Sequence, residues 1–307
     1  MTIVVNPWGP VEEWIAELSK LLPDETFVAW PDCPEPADVD LVVAWKMRRA
    51  DLATFTSLKG ILSMGAGAEQ WQKDGTPDVP IVRLADPTMS DEMASYSVHW
   101  VTRFHRGFDV AQAQQGKSAW DKITAVSASE FRVGILGYGT IGSRIGRAFS
   151  DLGYGVNAWS RSGTNDSNVS SFTGPDQLAK FLGSSNAVIN VLPSTDATTG
   201  LLDPTRLAQF RDGSVLINIG RGTVLSSESD LLHAIDDGPL RAAVLDVTNP
   251  EPPASDSPLF SHPGVHLTPH IAAITQMSSS VGLIAANITR IRKGESPYPV
   301  VDPSTGY

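Results

Sequence analysis

Apolar positions along this chain fall into two repeating patterns. Short runs rich in Val and Ile occur at 2–6, 26–30, 39–45, 61–64 and 81–84. The run at 39–45 is almost continuously apolar, as in a parallel strand covered on both faces. Residues 11–22 instead place Trp14, Ile15 and Leu18 on one helical face. A proline-rich stretch at 31–38 reads as a loop. Residues 1 to about 90 therefore predict an α/β unit of their own.

The same alternation resumes further on. Residues 89–108 read as a long helix, with Ser90 as N-cap and Asp91 and Glu92 in its first turn. Residues 110–125 are polar and Gln-rich, with Trp120 among them, and read as an arm that packs on another body such as a second subunit. Strands are expected at 131–136, 156–159, 187–192, 214–219, 242–247 and 265–268. Helices are expected after Gly139 (Ile141, Ile145, Ala148, Phe149 and Leu152 on one face), at 177–182, 203–209 and 226–235, and finally at 274–292.

The stretch from Phe131 to Ser162 organises the second half. A strand runs into Gly137, Gly139 and Gly142, spaced G-x-G-x-x-G, and then into a helix and a further strand. In that context the glycines have distinct uses. Gly137 permits a tight turn, Gly139 lets a pyrophosphate approach the backbone, and Gly142 lets helix and strand pack closely. The helix start would hold the phosphates through its free N–H groups and positive dipole. The second strand ends in Trp159-Ser160-Arg161-Ser162 and offers no carboxylate to a ribose. A guanidinium and two hydroxyls suit a 2′-phosphate, so the cofactor expected is NADP(H), with NAD(H) possible.

Composition narrows the picture only modestly. The 307 residues suffice for two domains, and the net charge of −11 argues against a nucleic-acid surface. One cysteine, Cys33, excludes internal disulfides and multi-cysteine metal sites. No apolar run approaches membrane-spanning length, and the N-terminus lacks a basic segment followed by a long apolar one, so a cytoplasmic location and no membrane association are expected.

Candidate chemistry lies just beyond the strand ends, where open parallel sheets bind ligands. Arg221, Glu251 and His270 stand there. Reduction of a keto acid needs an acid for the oxygen, a cation for carboxylate or carbonyl, and a partner that orients the acid, and these three residue types fill those roles. The bland alternatives are a surface ion pair for Arg221 and a solvated Glu251 in its proline-rich loop. His262, His266 and His270 are spaced by four, but Pro263, Gly264 and Pro269 break any helix there, so no metal site is expected. In the first unit, Gly65 to Ala68 follow a strand and could present N–H groups to a carboxylate, or could be only a turn. Trp45 could line a pocket or merely pack.

Taken together, GYGTIG, INIGRG with Arg221, LDVTNPEP with Asp246 and Glu251, and TPHIAA with His270 resemble the NAD(P)-dependent D-2-hydroxyacid dehydrogenase family across the whole chain. Further pieces (LSMGAGAEQW, VAWKM, WSRS and AAIT) point within it to bacterial reductases of glyoxylate and hydroxypyruvate. The resemblance implies two Rossmann-like or flavodoxin-like α/β domains with parallel sheets and the active site in the cleft between them. A discontinuous substrate domain would comprise 1–93 and 276–307, and a cofactor domain 94–275 would carry a dimerisation arm at about 100–125 and form a homodimer. His270 would be the general acid/base, Glu251 would hold it and raise its pKa, and Arg221 would bind the substrate carboxylate and carbonyl oxygen. The Ala66 and Gly67 amides would clamp the carboxylate, and Trp45 would line the pocket. The cofactor would meet Gly137, Gly139, Thr140, Ile141, Gly142, Trp159, Ser160, Arg161, Ser162, Leu192, Pro193, Ile219, Gly220, Asp246, His270 and Ala272. Two departures stand out: Glu69 replaces the family's usual Asp after the clamp, and a single arginine follows the second strand. The activity implied is NADPH-dependent reduction of small 2-keto acids. The alternatives are a larger or branched 2-keto acid, or a nucleotide-sensing binding protein like the corepressors that share the fold.

Overall fold

A computed structural model describes residues 2–67, 71 and 78–302. The chain divides into two compact units, residues 1–88 with 275–307, and residues 89–274.

The first unit carries β1 (Thr2–Asn6), α1 (Val11–Leu21), β2 (Thr26–Ala29), β3 (Val39–Ala44), α2 (Arg49–Leu52), β4 (Gly60–Ser63) and β5 (Ile81–Val82). Its strands form one parallel sheet of order β2-β1-β3-β4-β5. Ile3, Leu41, Val42, Val43 and Ile61 have no solvent exposure, which explains why these strands read as unbroken apolar runs. The chain leaves this unit at the start of α3 (Pro87–His105) and returns to supply α9 (Met277–Arg292). Arg292 at the end of α9 fastens that return. Its guanidinium makes paired bonds to Glu25 at 2.7 and 2.8 Å and also grips Asp40, which is only 1% exposed. These bonds, Glu25's foremost, raise its pKa further above the ordinary arginine value.

The second unit follows α3 with α4 (Phe108–Gly116), β6 (Arg132–Leu136), α5 (Thr140–Asp151), β7 (Gly155–Ser160), β8 (Ser170–Thr173), α6 (Leu178–Gly183), β9 (Ala187–Asn190), α7 (Pro204–Leu207), β10 (Ser214–Asn218), α8 (Glu228–Asp236), β11 (Leu240–Leu245) and β12 (Val265–Leu267). All seven strands are parallel, in the order β12-β11-β10-β9-β6-β7-β8. The strand order reverses between β6 and β9, so the crevice for a ligand lies at the carboxyl ends of these two strands.

Several local expectations change. Helix α3 begins at Pro87, not near 89, and Ser90 lies buried within it. Asp86 does the capping, accepting from the Thr88 N–H at 2.9 Å. The stretch read as a polar arm starts as the helix α4, which buries none of its residues. Strand β8 and the single turn α2 had no legible signal, since the sequence SSFT is too short and polar for a periodicity.

Candidate active site

The glycine turn after β6 has the geometry that its three roles require. Gly137 has φ +106°, a left-handed value that glycine takes without strain. A Cβ at Gly142 would sit 1.9 Å from the Gly137 carbonyl oxygen, so α5 can approach β6 only through glycine. A Cβ at Gly139 would meet nothing within 4 Å. Gly139 is also the N-cap of α5 and has no side chain with which to cap it, so the N–H groups of the first turn are open to an anion. Thr140 is exposed beside them, and Ile141 is half-buried.

At the end of β7, Ser160 Oγ is buried without a hydrogen-bond partner among the described residues, while Arg161 and Ser162 are exposed. An orphaned hydroxyl beside a guanidinium fits the 2′-phosphate of NADP. Trp159, expected at the cofactor, turns its ring inward. Its ring is 8% exposed, lies in the core, and donates its N–H to the Gly174 carbonyl at 2.9 Å. The loop that follows is tied back by Tyr138, whose hydroxyl donates to Asp166 at 2.9 Å. Burial and this bond push the Tyr138 phenol above its usual value.

On the other side of the switch point, Leu192 lies against Gly137, and Pro193 follows it half-buried. Two buried asparagines set these turns. Asn190 donates to Asn218 at 2.8 Å and accepts from the Leu192 N–H, while Asn218 donates to the Arg221 carbonyl at 3.0 Å. Each interrupts an apolar run at the same place (AVIN and VLIN), a signal that the sequence did carry. Ile219 and Ala272, 3% exposed each, and Gly220 belong to the packed wall of the unit.

The three catalytic candidates lie on loops beyond β10, β11 and β12. Arg221 is half-buried and donates to the Gly220 carbonyl at 2.7 Å. A Cβ at the next residue, Gly222, would lie 2.1 Å from the Thr248 carbonyl carbon, so the Arg221 loop presses directly on the loop that carries Glu251. Glu251 Oε1 lies 2.7 Å from His270 Nδ1, and both side chains are partly exposed, at 42% and 41%. His270 has φ +55°, an uncommon left-handed conformation for a residue with a side chain.

Asp246, expected near the nicotinamide, is also an internal anchor of the His270 loop. It is 2% exposed. Its carboxylate accepts from Thr268 Oγ1 at 2.6 Å and from the Ile271 and Ala272 N–H groups at 2.8 Å each.

In the first unit, the turn after β4 is held from inside by Ser63, whose hydroxyl donates toward the Gly65 and Gly67 carbonyls. Ala66 and Gly67 are half-buried. Trp45 packs its ring on Gly65, where a Cβ would come within 2.9 Å. Glu69 and Ala68 lie outside the described residues. Among the described residues no three His, Cys, Asp or Glu side chains gather as a metal site, and no helix is long and apolar enough to cross a membrane.

A doubly wound parallel sheet, an open glycine turn at its switch point and a histidine–carboxylate pair on the same edge define a dinucleotide-dependent oxidoreductase. More particularly, the chain belongs to the D-isomer specific 2-hydroxyacid dehydrogenases, whose NAD binding domain matches residues 98–272. It is 38% identical to the glyoxylate/hydroxypyruvate reductase A of Serratia proteamaculans, over 99% of both chains. It is also similar to a solved D-isomer specific 2-hydroxyacid dehydrogenase from Xanthobacter autotrophicus Py2 in complex with NADPH and MES, with TM-score 0.93 and 33% identity over 100% of this chain and 99% of that one. A third relative is the NADPH-dependent glyoxylate/hydroxypyruvate reductase of Sinorhizobium meliloti, solved with NADP and sulfate, with TM-score 0.92 and 29% identity over 100% and 99%.

Proposed function

We propose that this chain is an NADPH-dependent reductase of small 2-keto acids, converting glyoxylate to glycolate and hydroxypyruvate to D-glycerate. The 2.7 Å pair of His270 and Glu251 carries the reading, because it supplies an oriented proton donor at the ligand-binding edge of the sheet. The named relatives, which align with the chain end to end, support the substrate class.

The Gly139–Thr140 turn would hold the cofactor's pyrophosphate, and Ser160, Arg161 and Ser162 its 2′-phosphate. Reduced nicotinamide, when bound, supplies a hydride to the C2 carbonyl. With Nδ1 engaged by Glu251, His270 delivers a proton to the carbonyl oxygen from Nε2. Arg221 offsets the negative charge that grows on that oxygen. The N–H groups of Ala66 and Gly67, in a turn braced by Ser63, hold the substrate carboxylate. Trp45, packed on that turn, limits the pocket to small acids.

The enzyme is cytoplasmic and homodimeric on this reading. The segment around α4 supports the second copy: Trp120 is 99% exposed, and Phe108 and Val126 are each 54% exposed.

Loss of reduced-nicotinamide absorbance tests the proposal, with NADPH and NADH side by side on glyoxylate, hydroxypyruvate and a branched keto acid. Turnover of the two small acids with NADPH is expected. Arg161→Ala should raise the KM for NADPH about tenfold, equivalent to about 1.4 kcal/mol, and leave that for NADH unchanged. Turnover of the branched acid alone would shift the substrate class. No turnover, with nucleotide-dependent capture of a protein partner, would favour a sensing protein.

A further inference from the structure

Helix α3 touches the His270 loop at two points, one on each side of the histidine. Ahead of it, the Tyr96 hydroxyl lies 2.6 Å from Thr268 Oγ1. Behind it, the Glu92 carboxylate accepts the Ile274 N–H at 3.0 Å. Neither residue belongs to a motif at the strand ends, and the catalytic scheme above uses neither.

The direction of the first contact follows from proton counting. Thr268 has one hydroxyl proton and gives it to Asp246 Oδ1 at 2.6 Å, so Tyr96 must be the donor to Thr268. Burial pushes the Tyr96 phenol up to about 12, so it keeps that proton at neutral pH. Asp246 then distributes the constraint. Its carboxylate takes the Ile271 and Ala272 N–H groups, and its backbone carbonyl takes the His270 N–H at 2.9 Å. The loop is thereby fixed at 268, 270, 271 and 272, with His270 at φ +55°. A left-handed histidine persists only where its surroundings over-determine it. The consequence of that backbone is the ring position 2.7 Å from Glu251.

Resting on the reductase reading above, we propose that Tyr96 is a positioning residue for His270, acting through Thr268 and Asp246. It orders the proton donor without touching substrate or cofactor.

The test uses the full chain with NADPH and glyoxylate, comparing wild type with Tyr96→Phe, Thr268→Val and Thr268→Ser. Tyr96→Phe and Thr268→Val should each lower kcat about tenfold while the KM for NADPH and for glyoxylate stay within about twofold. With NADPH deuterated at C4, the isotope effect on kcat should rise in both, because a misplaced acid slows the chemical step. Thr268→Ser, which keeps the hydroxyl, should restore wild-type values. Wild-type kcat and isotope effect in Tyr96→Phe would overturn the proposal. So would a loss in Thr268→Ser that follows its melting temperature, since that marks general destabilisation. A second measurement does not depend on turnover. Amide hydrogen exchange at residues 270–272 of the free protein should quicken in Tyr96→Phe, and unchanged protection there overturns the proposal. A wild type that reduced no keto acid would instead overturn the reductase reading, leaving the exchange result to decide the role of Tyr96.

Discussion

Gly139 and Gly142 differ by three positions and by the kind of failure that each substitution should cause. Alanine at Gly142 puts a methyl group 1.9 Å from a backbone oxygen, so strand and helix must move apart. Gly142→Ala should lower unfolding free energy by about 3 kcal/mol, read from urea midpoints, and weaken NADPH binding as a consequence. Alanine at Gly139 meets nothing, and its backbone (φ −91°, ψ −152°) suits any residue. Gly139→Ala should therefore keep its stability and lose NADPH affinity, because the methyl group occupies the approach of the pyrophosphate. Equal stability loss in both would contradict this division of roles. The tight turn at Gly137 and the close packing at Gly142 were legible in the sequence because strand, turn and helix are adjacent in the chain. The role of Asp246 was not. Its partners Thr268, Ile271 and Ala272 lie more than twenty residues away, and no local pattern records which acid in an apolar strand faces inward. Trp159 shows the opposite limit: a tryptophan beside polar residues looks available in the sequence, yet its ring turns into the core.

At the scale of elements, boundaries depended on side chains that the periodicity does not weigh. Ser90 had the chemistry of an N-cap and acidic neighbours, but Asp86 starts α3 four residues earlier. The same carboxylate also accepts from Ser279 and Ser280 in the first turn and a half of α9. One buried acid thus ties the end of the first segment to the helix that returns. Burial pushes its pKa up, but the bonds from Ser279, the Thr88 N–H and Ser280 together outweigh that, so the net direction is down. A carboxyl depressed in the folded state stabilises fully above its unfolded value and stops doing so as pH falls through its folded value. Asp86→Asn should therefore cost about 1–2 kcal/mol at pH 7, with the gap to wild type closing below roughly pH 4. Denaturant midpoints at pH 7 and pH 3 check this, and a gap that widened on acidification would refute it.

For the whole molecule, strand alternation was enough to read two parallel α/β sheets, since buried parallel strands are continuous apolar runs whatever their order. Strand order is another matter. It depends on which crossovers run to which side of β1 and β6, and nothing local in the sequence states that. The bonds of Arg292 to Glu25 and Asp40 show how a terminal helix is recruited to the opening segment, across more than 250 residues of chain. The nucleotide crevice and the His270–Glu251 pair at the open edge of the second unit are what the proposal builds on, namely that the proton donor of this reductase is a single imidazole. The most direct measurement of that claim is kcat for NADPH-dependent glyoxylate reduction by His270→Ala against wild type, with NADPH affinity followed by nicotinamide fluorescence. A fall in kcat of about 10²–10⁴-fold with affinity retained is expected. A variant within a fewfold of wild type would contradict it, and the proton would have to come from elsewhere.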